Sequence, residues 1–295
     1  MQIVQGDTLE WRRGLEYRGG MFHFRKLLEG EEGSIGNFQL SMGRSDKDFL
    51  SPRHRHNFEQ FRIQLDGDLK FGRDGTMKPG MVAYFPEGAH YGPQTQDGDA
   101  TTFVLQFGGA SGSGYLSRNE VSAGMKALEN EGSFKDGIFR RNEGAEGKRN
   151  MDGYEAIWSH IRGRKLDYPK PRYPGPIMMD RDHFHWARSR SEAGVWEKPM
   201  GVFTERRAEV GMLKLEGGAS TVLTERSVHV CIEGSGTVEA GGQTQEFRKL
   251  TVIHCAPGEQ ATVRASEECV FYKMILPDLA GLEEDAGSDR ALAAE

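Results

Sequence analysis

The sequence predicts an all-β protein made of two similar halves. Three observations point there. Short runs of alternating apolar and polar residues, bounded by glycine and proline turns, fill residues 20–110 and resume after residue 205. The stretch between them, 111–176, breaks the pattern with helical spacing and then a proline-rich run. The turn signals of the two halves also follow one another in the same order. With 295 residues, the chain has room for two cores, at about 100–200 residues per domain.

The elements follow in order. Phe38-Gln39-Leu40-Ser41-Met42 alternates, as does Phe61-Arg62-Ile63-Gln64-Leu65, which stops at Asp66-Gly67-Asp68. Met81–Phe85 is bounded by Pro79-Gly80 and Pro86, and Thr101–Phe107 ends at Gly108-Gly109. Ser117-Arg118-Asn119-Glu120 is a capping box, with Val121, Met125 and Leu128 on one helical face and Gly132 as the expected stop. Asp152 and Glu155 repeat the start signal ahead of Ile157, Trp158 and Ile161. Four prolines between 166 and 176 make a stiff extended linker.

Strands resume at Val210–Leu215, Val228–Ile232, Gly236–Glu239, Thr251–His254 and Val270–Leu276. Leu65-Asp66-Gly67 is echoed by Ile232-Glu233-Gly234, and Phe85-Pro86-Glu87-Gly88 by Cys255-Ala256-Pro257-Gly258. The expected organisation is a barrel over 1–112, a helical and proline-rich linker over 113–176, a second barrel over 177–280 and an acidic tail over 281–295.

Composition narrows the function. A net charge of −6 argues against nucleic acid and anionic membranes as partners, because both need a basic face. No apolar run approaches the ~20 residues of a membrane span, and the N-terminus carries no secretory signal. The three cysteines, Cys231, Cys255 and Cys269, form no C-x-x-C pair. They read as reduced core thiols in a cytoplasmic protein.

The histidines carry the chemistry. His54-Arg55-His56 puts two imidazoles on one face of an extended segment. Gln60 and Gly67 follow, then Gly80, Pro86, Gly88 and His90. Three neutral imidazoles and an amide oxygen suit a borderline divalent ion. Glu59 is the rival ligand, although regular alternation turns it to the opposite face from Gln60. A three-histidine site with no fourth ligand is the other alternative.

These residues resemble the two signature motifs of the cupin superfamily. The first is His-x-His, three or four residues, an acid, six residues and Gly. The second is Gly, five residues, Pro-x-Gly and a His shortly after. Gln60 stands where the family usually has glutamate, and His90 comes one residue sooner after Gly88 than usual. The resemblance implies two cupin barrels, by motif over 35–110 and by architecture over 205–277.

It also implies that the face of Gln60 points inward, so that Arg62 and Gln64 line the cavity. A guanidinium there needs an anion or polar partners. Either an anionic ligand supplies them, or an internal acid does, or the register is reversed. Tyr84 and Tyr91 flank the second motif, Tyr84 as a pocket residue and Tyr91 as a donor beside Arg62. Glu87 is a rim residue. The second half lacks the site, with Thr221, Leu223 and Ser227 in the ligand slots. His229, His254 and the His183–His185 pair read as structural.

The sequence thus predicts one divalent transition metal per chain, held by His54, His56, Gln60 and His90. Fe(II) comes first, with Mn, Ni, Cu, Co and Zn as other candidates. In having three histidines and no carboxylate ligand, the pattern is similar to gentisate-type ring-cleaving dioxygenases. That likeness implies an oxygenase acting on a small anionic aromatic or enolic substrate, with O₂ as co-substrate. A metal-dependent lyase or isomerase and a non-catalytic binding protein are the alternatives. A homodimer is expected, as two-barrel cupins commonly dimerise.

Overall fold

The computed structural model describes residues 1–14, 22–144 and 146–282. The chain folds into two compact units, one of residues 11–178 and the other of Met1–Glu10 with the chain from Met179 onward. The first ten residues thus belong to the C-terminal unit, where Gln2–Gln5 pairs antiparallel with Thr251–Cys255.

Each unit is built on a sheet with the same central order. In the unit of residues 11–178 it runs Met81–Phe85, Phe58–Asp66, Ala100–Gly108, Phe38–Ser45, Phe22–Glu29. In the other it runs Thr251–Cys255, Ser227–Glu233, Cys269–Ile275, Ala208–Leu215, Val195–Phe203. The repeat extends to its turns. Gly67 (φ +68) and Gly234 (φ +84) follow bulged strands, and a Cβ on either would sit 2.2 Å from a carbonyl, that of Asp99 or of Glu268. Only glycine fits such a turn. Two cupin barrels in an all-β chain is therefore the architecture.

The two interiors differ. In the first unit the rows facing inward are Gln39–Gln106–Gln60, Ser41–Val104–Arg62 and Gly43–Thr102–Gln64. All are polar or small except Val104. The apolar side chains Leu40, Phe61, Ile63, Phe103 and Leu105 lie on the other face and are buried. In the second unit the interior is Leu213, Leu215, Cys231, Ile253, Cys269 and Phe271, met by Val238, Phe247 and Val263 from a four-stranded facing sheet. That barrel is packed solid, as apolar interiors are. Among the described residues the first faces the two-stranded pair Leu69–Lys70 and Thr76–Met77, with isolated bridges Ser51–Gln94, His54–Tyr91 and Lys70–Thr95, and keeps a cavity.

The stretch expected to be a linker is a small subdomain. Helix α1 (Arg118–Leu128) begins with the capping box of Ser117 and Glu120, and α2 (Gly153–Arg162) with Asp152 as its cap. The helices meet at Gly124, where a Cβ would lie 2.8 Å from Ile157 Cγ2. Gly132 does not stop α1, which ends at Leu128. It opens the first strand of a three-stranded sheet, Gly132–Lys135, Ile138–Arg141 and Asn150–Asp152. A side chain there would strike the Arg140 carbonyl at 2.3 Å. The helices share a core with Phe58 of the barrel.

Among the described residues no helix is long and apolar enough to cross a membrane. The acidic tail lies, from residue 283, outside the described residues.

Candidate functional site

The cavity of the first barrel has a volume of about 180 Å³. Its floor is polar, with Arg62, His54, His56, Gln94 and Ser51. Its walls are apolar, with Phe58, Val104 and Leu69 from the barrel and Tyr115, Leu116, Val121 and Tyr154 from the helical subdomain. Arg44 and Arg118 add two more cations, and among the described residues no carboxylate lines it. In a chain of net charge −6 this is a local concentration of positive charge.

Arg62 is held rigidly. Its Nε donates to Gln60 Oε1 (2.9 Å), one terminal nitrogen to Gln94 Oε1 (2.8 Å) and the other to the Tyr91 hydroxyl (3.1 Å). The guanidinium carbon lies 4.4 Å from the centre of the Phe85 ring. The residue is 8% exposed. These three acceptors orient the cation and bring no negative charge of their own.

Tyr91 is the hub. Its hydroxyl is 3.0 Å from His54 Nε2 and also accepts from Gln60 Nε2 at 3.1 Å. His54 Nδ1 lies 2.6 Å from the Pro52 carbonyl, so it carries the proton and leaves the Nε2 lone pair facing Tyr91. His56 stacks on Phe58 at 4.2 Å and stands 4.8 Å from His54 between ring centres.

His90 is a correction. The structure places it on the exposed side of its segment, away from His54 and His56. Residues 54 and 91 form an antiparallel bridge and exchange both backbone hydrogen bonds, so their side chains share a face. His90 must then point the other way. The signal was in the spacing: His90 comes one residue early after Gly88, and Tyr91 stands in the vacated slot. Partial burial, with Arg55 and Arg53 close by, lowers the His90 pKa.

Tyr84 is a second correction. It pairs with Phe61 across the sheet and so lies on the face opposite Arg62, outside the cavity. There it stands with Glu59, Glu87 and Tyr173. Gln64 has the inward face, but the backbone carbonyls of Asp66 and Gly67 and the Thr102 hydroxyl use up its amide. Glu59 is buried on the outer face and its carboxyl is pushed up to about 8, by burial and then by Glu87. Glu87, expected at a solvated rim, is fully buried. It accepts from Arg172 (2.7 Å) and from the Ser111 hydroxyl (2.6 Å).

The remaining histidines take no part. His229 and His254 are buried in the second unit, their pKa values lowered by burial to about 3 and about 4. Thr221 donates to Glu192, and Ser227 to the Thr224 carbonyl. Gln94, Tyr115, Arg118 and Tyr154 were not legible as cavity residues, because they come from irregular or inserted segments; Gln106 lies on a regular strand, and its inward face was open to the alternation rule.

The predicted ion can now be tested against its donors. His90 is outside, and the Gln60 oxygen is engaged by Arg62. What lines the cavity is two imidazoles and a guanidinium, with the buried Tyr91 phenol behind them, 3.1 Å from that guanidinium. Among the described residues no group of three or more His, Cys, Asp or Glu could hold a metal. This set does not fit the predicted four-ligand ion.

Compared with known proteins, the sequence matches no protein-family model and no curated protein. Solved structures do match the fold. A presumed dioxygenase from Nostoc punctiforme superposes with TM-score 0.60 at 11% identity, over 95% of this chain and 83% of that one. GK1651 from Geobacillus kaustophilus gives 0.52 at 13%, over 94% and 95%. A point mutant of Bacillus subtilis oxalate decarboxylase gives 0.53 at 13%, over 94% and 78%. The shared fold is the two-barrel cupin fold. At these identities the likeness shows the fold, and the chemistry must be argued from the site.

Proposed function

We propose that this protein is an enzyme whose first barrel binds a small organic anion with an apolar body and moves a proton on it. Lyase or isomerase chemistry on a carboxylate or enolate fits best. The observation that carries this is Arg62, fixed by Gln60, Gln94 and Tyr91 at the floor of a cavity with apolar walls. A positioned guanidinium offers a carboxylate two parallel hydrogen bonds. It also stabilises charge that develops on an enolate.

Tyr91 supplies the proton path. Its hydroxyl touches both His54 Nε2 and Arg62, which line the cavity, so it can give a proton to His54 or take one back while the cation holds the anion. Benzoate titrated into the protein by calorimetry tests the binding. Saturable binding is expected, with Arg62→Met weakening it by roughly 10- to 100-fold, the worth of charged hydrogen bonds. Equal binding by Arg62→Met rejects the assignment.

The iron-dependent oxygenase is the second reading. It is favoured by the His54 Nδ1 contact to Pro52, the type of backbone bond that orients metal-ligating imidazoles. Stoichiometric iron in protein prepared without added metal, with oxygen uptake on turnover, would select it over the first.

A further inference from the structure

The cavity has a second cation that the proposed reaction does not use. Arg118 is the first residue of α1 and lines the cavity from the helical subdomain, while Arg62 lines it from the barrel floor. Its guanidinium carbon lies 3.9 Å from the centre of the Phe24 ring and 5.4 Å from that of Phe22, so stacking holds it in place. Its Nε is buried without a hydrogen-bond acceptor among the described residues. A buried donor on a charged group is costly to leave unpaired.

The carboxylates nearest α1 are already committed. Glu32 accepts from the Ser117 hydroxyl (2.7 Å) and from Asn119 (3.1 Å). Glu120 accepts from the Ser117 backbone N–H (2.7 Å) and from Arg162 (3.4 Å). Among the described residues Arg118 makes no ion pair. The same cavity is lined by the apolar side chains of Val104, Leu116 and Val121.

Resting on the anion-binding reading above, we infer that the ligand is a dicarboxylate with an apolar middle, one carboxylate on Arg62 and the other on Arg118. A single-ended ligand leaves the Arg118 guanidinium without an anionic partner. A second carboxylate pairs with it, and the apolar walls take the spacer rather than water. Arg44, exposed at the same cavity with its guanidinium carbon 5.8 Å from the centre of the Trp11 ring, adds to the positive field.

The test is calorimetry on the full chain with matched probes: benzoate against terephthalate, hexanoate against adipate, and the linear diacids from oxalate upward. The diacid of at least one pair is expected to bind about ten-fold tighter or more than its monoacid, as a second charge-assisted contact implies. Arg118→Met keeps the stacked stem; it should erase that advantage while weakening the monoacid far less than Arg62→Met does. Arg118→Lys should restore part of it. Arg62→Met should weaken both members of each pair.

Monoacid binding with no diacid advantage, an advantage that survives Arg118→Met, or an optimum at oxalate, which has no spacer, overturns the inference and leaves the anion site standing. Failure of every acid to bind overturns the anion site itself. Thermal unfolding midpoints within a few degrees of the parent establish that the variants are folded.

Discussion

His54 and Tyr91 face each other across an antiparallel bridge. Their backbones exchange hydrogen bonds of 3.1 and 2.9 Å, and their side chains meet at 3.0 Å between Nε2 and the hydroxyl. A bridge of this kind leaves the neighbouring His90 no path into the barrel. His90→Ala is therefore expected to leave benzoate affinity within about two-fold of the parent, whereas a ligating or substrate-binding residue would cost ten-fold or more. Calorimetry checks this directly.

Tyr91→Phe removes the hydroxyl and keeps the ring that packs on Phe85 at 4.7 Å. Turnover should fall by about 10²–10⁴-fold, the usual worth of a positioned acid–base group. Because Arg62 keeps Gln60 and Gln94, the ligand should still bind. Exchange of the α-protons of a bound keto acid with deuterium, followed by NMR, reads the step. Undiminished exchange in Tyr91→Phe removes Tyr91 from the proton path.

Glu59 ties stability to pH. Its carboxyl is pushed up to about 8 by burial and by Glu87, from an ordinary value of 4.5. Between those two pH values the folded chain holds a proton that the unfolded chain has released. Stability then falls as pH rises through this window, by at most about 1.4 kcal/mol per unit. Glu59→Gln should flatten this slope and raise the unfolding midpoint at pH 8 relative to the parent. An unchanged slope in urea melts from pH 5 to 8 contradicts the assignment.

Trp158 is 1% exposed in the core that joins the two helices to Phe58. Trp158→Ala should cost about 3–5 kcal/mol, the range for large core truncations. It should also weaken ligand binding, since Tyr115, Leu116 and Tyr154 of the same core form the cavity wall. Urea unfolding and a benzoate titration on one preparation measure both effects.

The strands were the legible part of the fold, because alternation is a local property of the chain. Met81–Phe85 was read to its ends, and Gly67 and Gly234 marked the repeat through the turns that need them. In the second half Thr221, Leu223 and Ser227 were read as non-ligands, but the apolar filling of that interior shows only in the fold. The site was only half legible. His54, His56, Gln60 and Arg62 lie on or beside a regular strand, and alternation brings them to one side. His90 and Tyr91 lie in a turn beyond Gly88, where a one-residue shift exchanges the faces. Tyr84 failed for a related reason, since its face depends on pairing with Phe61 and not on its nearness to the motif. Arg118 was legible only as part of a helix cap. Its place in the cavity depends on how the inserted helices dock on the barrel.

The most direct test of the account is whether anion binding needs an ion. Benzoate should be titrated into protein dialysed against EDTA, with metal content measured on the same sample. If Arg62 is the receptor, the dissociation constant stays within about two-fold of the untreated value in protein free of metal. Binding that vanishes on chelation and returns with added iron would contradict it.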